Sequence, residues 1–176
     1  MGFVRKRLDE VKEREHLGYA YDAADASFEL LARRALGQVP EYFKVMSFRV
    51  MIERRFNALG ERVTVSEAIV KTRVDGQDIH SVGEGVGPVD ALDEALRKDL
   101  GGYSKFLEDL RLVDFKVRIL TSGTEAVTRV LIEFADGEER RWSTVGVSPN
   151  IVEAAFEALS DSITYKLLRD GAPKPG

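Results

Sequence analysis

From Met46 to Glu53 the chain alternates. Met46, Phe48, Val50 and Ile52 are interleaved with Ser47, Arg49, Met51 and Glu53. Successive side chains leave a strand on opposite faces, so this period of two predicts a half-buried strand. Residues 63–74 form a second, with Ala68, Val70, Thr72 and Val74 on one side, and 78–82 a third. Asp75-Gly76 between them is a hairpin turn. At 88–100 the period becomes helical, with Val89, Leu92, Ala95 and Leu96 on one stripe, and Gly101-Gly102 ends the helix. The order then returns. Val113, Phe115, Val117 and Ile119 alternate with Asp114, Lys116 and Arg118; 121–124 turns; 126–134 is a strand; Asp136-Gly137 is a hairpin turn; 140–145 is a strand. Residues 151–168 make a helix with Ile151, Ala155, Leu159, Ile163 and Leu167 inward, and 170–176 is a loose polar tail.

Two helices precede the strands. Phe3, Val4, Leu8, Val11 and Leu17 are spaced for a helix over 2–16, stopped by Gly18. Asp22 is placed to cap a second over 23–36, with Ala24, Phe28, Leu31 and Ala35 on its stripe. This hairpin has little apolar surface and must pack on something else. Asp75/Asp136, Gly76/Gly137, Gly85/Gly146 and Pro88/Pro149 are each 61 residues apart (for example 136 − 75), which points to a duplication. The fold class is therefore α+β: two duplicated βββα units, residues 43–102 and 110–169 of a domain at 40–176, after an α-helical hairpin at 1–39. A three-stranded sheet with one helix buries only one face, so a homodimer is expected.

Composition narrows the chemistry. The chain has 176 residues, is 44% hydrophobic, and carries 26 basic against 30 acidic residues, a net charge of −4. A nucleic-acid surface calls for a basic face, and none is evident. No apolar run approaches the roughly 18 residues of a membrane span. Without cysteine there is no disulfide, thiolate metal site or thiol nucleophile, which suits the cytoplasm. The two histidines, His16 and His80, are isolated and supply no metal-ligand spacing. No catalytic residue, metal ligand or cofactor site is predicted. A small enzyme working through carboxylates is the weakest reading.

The best candidate for binding is the strand-to-helix junction at Gly85, Gly87, Pro88, Val89, Asp90 and Ala91. The N–H groups of a helix start attract a carboxylate, and Asp90 would suit an ammonium group. With an apolar wall from Val113, Phe115 and Val117, and a second helix start after Gly146, Ser148 and Pro149, the ligand would be an aliphatic amino acid. The plain alternative is that the glycines only make tight turns and Asp90 only answers the helix dipole.

Five stretches carry a resemblance. Glu84-Gly85-Val86-Gly87-Pro88-Val89-Asp90-Ala91-Leu92 is similar to the glycine–asparagine–glycine–proline signature of the C-terminal regulatory domain of isopropylmalate and citramalate synthases, with Val86 in place of the asparagine. Residues 111–120 resemble that domain's next strand, and 142–154 its last strand–helix junction. Residues 18–31 resemble the linker subdomain before it, and with 161–167 are most similar to the citramalate synthase branch. The resemblance implies a dimeric regulatory domain that binds a pathway end product, isoleucine for that branch and leucine for the other. It implies an effector pocket of Gly85, Gly87, Pro88, Val89, Asp90, Ala91, Val113, Val117, Pro149 and Ile151. It also implies a TIM-barrel acyltransferase domain, outside this chain, that uses a divalent metal and acetyl-CoA. A stand-alone amino-acid sensor or dimerisation module is the alternative.

Overall fold

A computed structural model describes residues 2–121, 123 and 126–176, without the side chains of 2–5 and 7. The order is α1 (Gly2–His16), a 3-10 turn (Tyr21–Ala23), α2 (Asp25–Ala35), β1 (Lys44–Phe56), β2 (Arg62–Val74), β3 (Gln77–Gly85), α3 (Pro88–Lys98), a 3-10 turn (Gly101–Phe106), β4 (Arg111–Ile119), β5 (Thr128–Ala135), β6 (Arg141–Ser148) and α4 (Ile151–Arg169). Two antiparallel sheets, β1-β2-β3 and β4-β5-β6, are each followed by a helix, as the duplicated pattern requires. The chain divides into two compact units. One holds residues 40–108 and 166–176; the other holds 1–39 and 109–165.

In the first repeat, Ala68, Val70, Thr72 and Val74 of β2 are buried with Leu92, Ala95 and Leu96 of α3. Val89, expected inward, is half-buried, while Ala91 is fully buried. Asp75 and Gly76, at φ 48° and 75°, make the expected two-residue turn; glycine suits a positive φ because it has no Cβ to clash. In the second repeat, Val130, Ile132 and Phe134 of β5 are buried with Trp142 of β6 and Ala155, Leu159, Ile163 and Leu167 of α4. Trp142 stacks on Phe134 and tilts onto Tyr165, with centroids 6.5 and 5.7 Å apart.

Several sequence expectations change. The second helix starts at Asp25, and its N-cap is Ala24, not Asp22. Phe28 is exposed, and Ala26, Ser27 and Leu30 are buried instead. In α1 Leu8 is exposed while Val11 packs; Phe3 and Val4 have side chains outside the description, as do Ser122 and Thr124 of the expected 121–124 turn. Ile151 is exposed, not inward. The second hairpin turn is longer than Asp136-Gly137. Asp136 Oδ1 accepts N–H bonds from Glu138 and Arg140, both 3.0 Å, and Glu139 sits at φ 58°. The tail is not loose throughout: Ala172 is buried, and Tyr103 Oη donates to Pro173 O at 2.9 Å.

The register of the duplication also changes. Gly83 pairs with Ala68 in one sheet and Gly146 with Val130 in the other. In each, a Cβ would run into helix backbone: Ala95 N and Ala91 O for Gly83, Ala154 O for Gly146. Gly83 and Gly146 are therefore the equivalent pair, 63 residues apart (146 − 83). Pro88 opens its helix and is matched by Ile151, also 63 on (151 − 88), while Pro149 precedes the N-cap of α4.

The hairpin covers one sheet. Tyr21, Ala24 and Val145 form a buried cluster joined by Val11, Tyr19, Leu31, Leu131 and Val147. Its side chains also close the outer edge of β6. Asp25 accepts from Ser143 N (2.8 Å), Ser27 Oγ from Val145 N (2.9 Å), and Glu157 of α4 from Val147 N (3.2 Å). Covering unpaired edge groups prevents pairing with another chain.

Candidate functional site

The junction from β3 to α3 is tight where it packs and open where it faces out. A Cβ on Gly85 would stand 2.5 Å from Ala91 N and 2.7 Å from Asp90 Oδ2, so only glycine fits. Asp90 Oδ2 accepts from Val86 N at 3.1 Å, and Glu94 Oε2 from Glu84 N at 3.2 Å. Gly87 differs. Its φ of −138° is open to any residue, and nothing stands within 4 Å of where its Cβ would be. Pro88 has no N–H, and no side chain caps the start of α3. The side chain of Val86 is 93% exposed.

The helix start has N–H dipoles that favour an anion. Beside it stand the carboxylates of Asp90 and Glu94, each held by a bond above, whereas Glu84, between two glycines that face the helix, lies on the other face of β3. Asp93, one turn in, is buried and accepts from Arg97 Nε and Nη2 at 2.9 and 2.6 Å. Burial pushes its carboxyl above the usual range, against the Arg97 guanidinium, which pulls it down. Donors and carboxylates side by side suit a zwitterion better than a simple anion.

The second junction is closed upon itself. Asn150 Oδ1 accepts from Val152 N and Glu153 N at 2.9 and 3.3 Å, and Ser148 Oγ accepts from Asn150 N at 3.1 Å. Its helix-start donors are thus taken by its own side chain. Pro149 and Ile151 lie exposed beside this cap. Val113, Phe115 and Val117 are 38, 36 and 41% exposed on β4, an open apolar row. Gly85, Gly87, Pro88, Val89, Asp90 and Ala91 belong to one compact unit; Val113, Val117, Pro149 and Ile151 belong to the other.

Two concavities lie elsewhere. One of about 370 Å³ is lined by Glu94, Arg97, Lys98, Ser104, Leu107 and Glu108. A smaller one, about 40 Å³, sits under the hairpin against Arg14, Tyr19, Arg34, Glu157 and Asp161. It has room for a few waters rather than an amino acid. Here Tyr19 Oη donates to Glu157 at 2.6 Å and Arg34 to Asp161 at 2.7 Å. Burial raises both carboxyls and the Tyr19 phenol. Sequence reading missed this polar seam, whose partners are more than a hundred residues apart. Among the described residues no group of three His, Asp or Glu side chains is placed to hold a metal, and no helix is long and apolar enough to cross a membrane.

Fold and junctions together define an internally duplicated α+β module of two βββα repeats. The family described as the LeuA allosteric (dimerisation) domain matches residues 22–167, and the chain belongs to it. It is 46% identical over 169 residues to the (R)-citramalate synthase of Aquifex aeolicus, covering 95% of this chain and 31% of that protein. It is 48% identical over 162 residues to the (R)-citramalate synthase of Geobacter sulfurreducens, covering 91% and 30%. A probable 2-isopropylmalate synthase of Methanosarcina mazei is more distant, 27% identical over 159 residues, covering 89% and 29%. The chain thus spans under a third of the length of these relatives.

Proposed function

We propose that the chain is the regulatory region of a citramalate synthase-type acyltransferase of the cytoplasm, which condenses acetyl-CoA with a 2-oxo acid in a metal-using barrel outside this chain. It forms a homodimer and binds a branched-chain amino acid, isoleucine in preference to leucine, as a feedback inhibitor. The observation that carries the reading is the uncapped start of α3. There Gly87 leaves open space in front of helix N–H groups, with Asp90 alongside. The N–H groups receive the effector carboxylate and Asp90 its ammonium group. Val113, Val117 and Ile151 are apolar residues of the kind a branched side chain needs, and their exposure supports this role. The effector then favours one arrangement of the dimer, and its differential affinity limits the inhibition.

The test is a thermal melt with isoleucine, leucine and valine. A ligand at a hundredfold excess over its dissociation constant adds about 2.7 kcal/mol. Isoleucine is expected to raise the melting temperature most. No shift with any of the three overturns effector binding by this chain.

A further inference from the structure

Three of the sheet edges, those of β6, β3 and β1, are treated differently. The outer edge of β6 is closed by Asp25, Ser27 and Glu157. That of β3 is met by Glu94 at Glu84 N and by Lys98 Nζ, which donates to Val82 O at 2.8 Å. Along β1, no side chain among the described residues caps the backbone of residues 49–53. Its side chains are exposed there too, Met51 by 44% and Ile52 by 61%. A long uncapped edge is a template for a further strand.

β1 and β2 also outrun their sheet. β3 stops pairing at Gly85, opposite Ser66, but β1 and β2 continue through Glu53↔Val65, Arg54↔Thr64, Arg55↔Val63 and Phe56↔Arg62. The result is a two-stranded arm. Its tip is fixed by Asn57, whose Oδ1 accepts from Leu59 N and Glu61 N, both 2.9 Å. Phe56 and Leu59 are 73 and 83% exposed. A two-stranded ribbon is marginal in water unless something packs on it or extends it.

We propose that β1 is extended by β1 of a second copy of this chain, antiparallel about a two-fold axis at Met51. The inference rests on the dimer half of the reading above and not on its effector half. Charge selects the register. With Met51 opposite its own copy, Arg49 faces Glu53 and Val50 faces Ile52, each twice by symmetry. Shifting the axis to Ile52 sets Arg49 against Arg55, and shifting it to Val50 sets Arg49 against Met51. Opposite charges across a strand pair stabilise it, and like charges oppose it. Glu53 is released easily for this role, since its ion pair to Arg55 is 3.9 Å long with both side chains mostly exposed.

The chain has no cysteine, so a single introduced thiol can bridge only to its own copy. Directly opposed residues of an antiparallel pair stand about 4.5–5.5 Å apart at Cα, within disulfide reach. Mild oxidation of Met51→Cys is expected to give a covalent dimer at the protein concentration where light scattering finds the dimer, whereas Phe115→Cys on β4 stays uncrosslinked. By analytical ultracentrifugation Arg49→Glu and Glu53→Arg each weaken the dimer at least tenfold, and the double exchange restores it. All four positions are surface-accessible, and an unchanged far-ultraviolet spectrum shows the variants folded. A dimer that ignores both charge variants and leaves Met51→Cys uncrosslinked overturns the β1 interface while the dimer stands. A wild-type chain that is monomeric at tens of micromolar overturns both.

Discussion

The two repeats share a scaffold and differ in what lies over it. In each, a glycine of the third strand lies against the first turns of the helix, Gly83 under Ala91 and Gly146 under Ala154. In each, a glutamate of the helix accepts the N–H of the next strand residue at 3.2 Å, Glu94 from Glu84 and Glu157 from Val147. From there they part. The second repeat has its sheet covered by the hairpin, its β6 edge closed and its helix capped by Asn150. The first has no side-chain cap on α3, carries Met51 and Val82 exposed on its sheet, and extends the β1–β2 arm. Duplication supplied two equal frames. One was closed and tied to the hairpin, and the other kept its open groups, which is where a ligand and a partner would be received.

The shared contact gives the largest expected effect. Gly83→Ala and Gly146→Ala each place a methyl group inside helix backbone, which has no side-chain freedom to yield. Each should cost about 3 kcal/mol in denaturant unfolding, with Gly87→Ala, whose methyl meets open space and only exchanges a fair cap for a poor one, at about 0.5–1 kcal/mol as the control. Loss at only one of the two would break their equivalence.

Next in size is the effect of covering. Glu157 is half-buried and held by Tyr19, and desolvation raises its pKa above the 4.5 of a free glutamate. A raised pKa means that the folded state holds the proton more tightly. Its contribution is fully present below the unfolded value and is lost as pH rises through the folded one. Asp161 and Asp93 act with the same sign. Glu157→Gln keeps an acceptor for Val147 N, turns its amide N–H to Tyr19 Oη, and removes the titration. The fall of stability across the mildly acidic range should therefore be shallower in the variant, followed by urea unfolding at a series of pH values. A steeper fall would show that Glu157 is stabilised as the carboxylate.

How far these differences were readable from sequence follows from their range. Strands and helices were legible because each buries one face, so Met46 to Ile52 and Val113 to Ile119 declare their period locally. The duplication was legible too, but its register was not. The five-residue turn around Asp136, against two residues in the first hairpin, shifts the second copy before Gly146, so the shared offset of 61 matched Pro88 to a proline that opens no helix. The Asp22 cap failed for a similar reason. Ala24 takes the cap position, and Asp25 turns to Ser143, 118 residues on. Residue type showed that Gly85 and Gly87 make a junction. It did not separate Gly85, which the packing demands, from Gly87, which it does not.

The smallest effects lie at the helix starts, and they bear most directly on function. Asn150→Ala should lower stability by about 1 kcal/mol, since it strips the bonds to Val152 N and Glu153 N. Gly87→Asp is the converse. The extended φ and the open space accept a side chain, and the new carboxylate can take the free donors of α3. Because glycine is already a fair cap, the gain is only a few tenths of a kcal/mol. The same carboxylate would occupy the place proposed for that of the effector. Gly87→Asp should therefore melt at or slightly above the wild-type temperature while isoleucine binding by calorimetry weakens at least tenfold. Unchanged binding in a protein so capped would move the effector away from the start of α3.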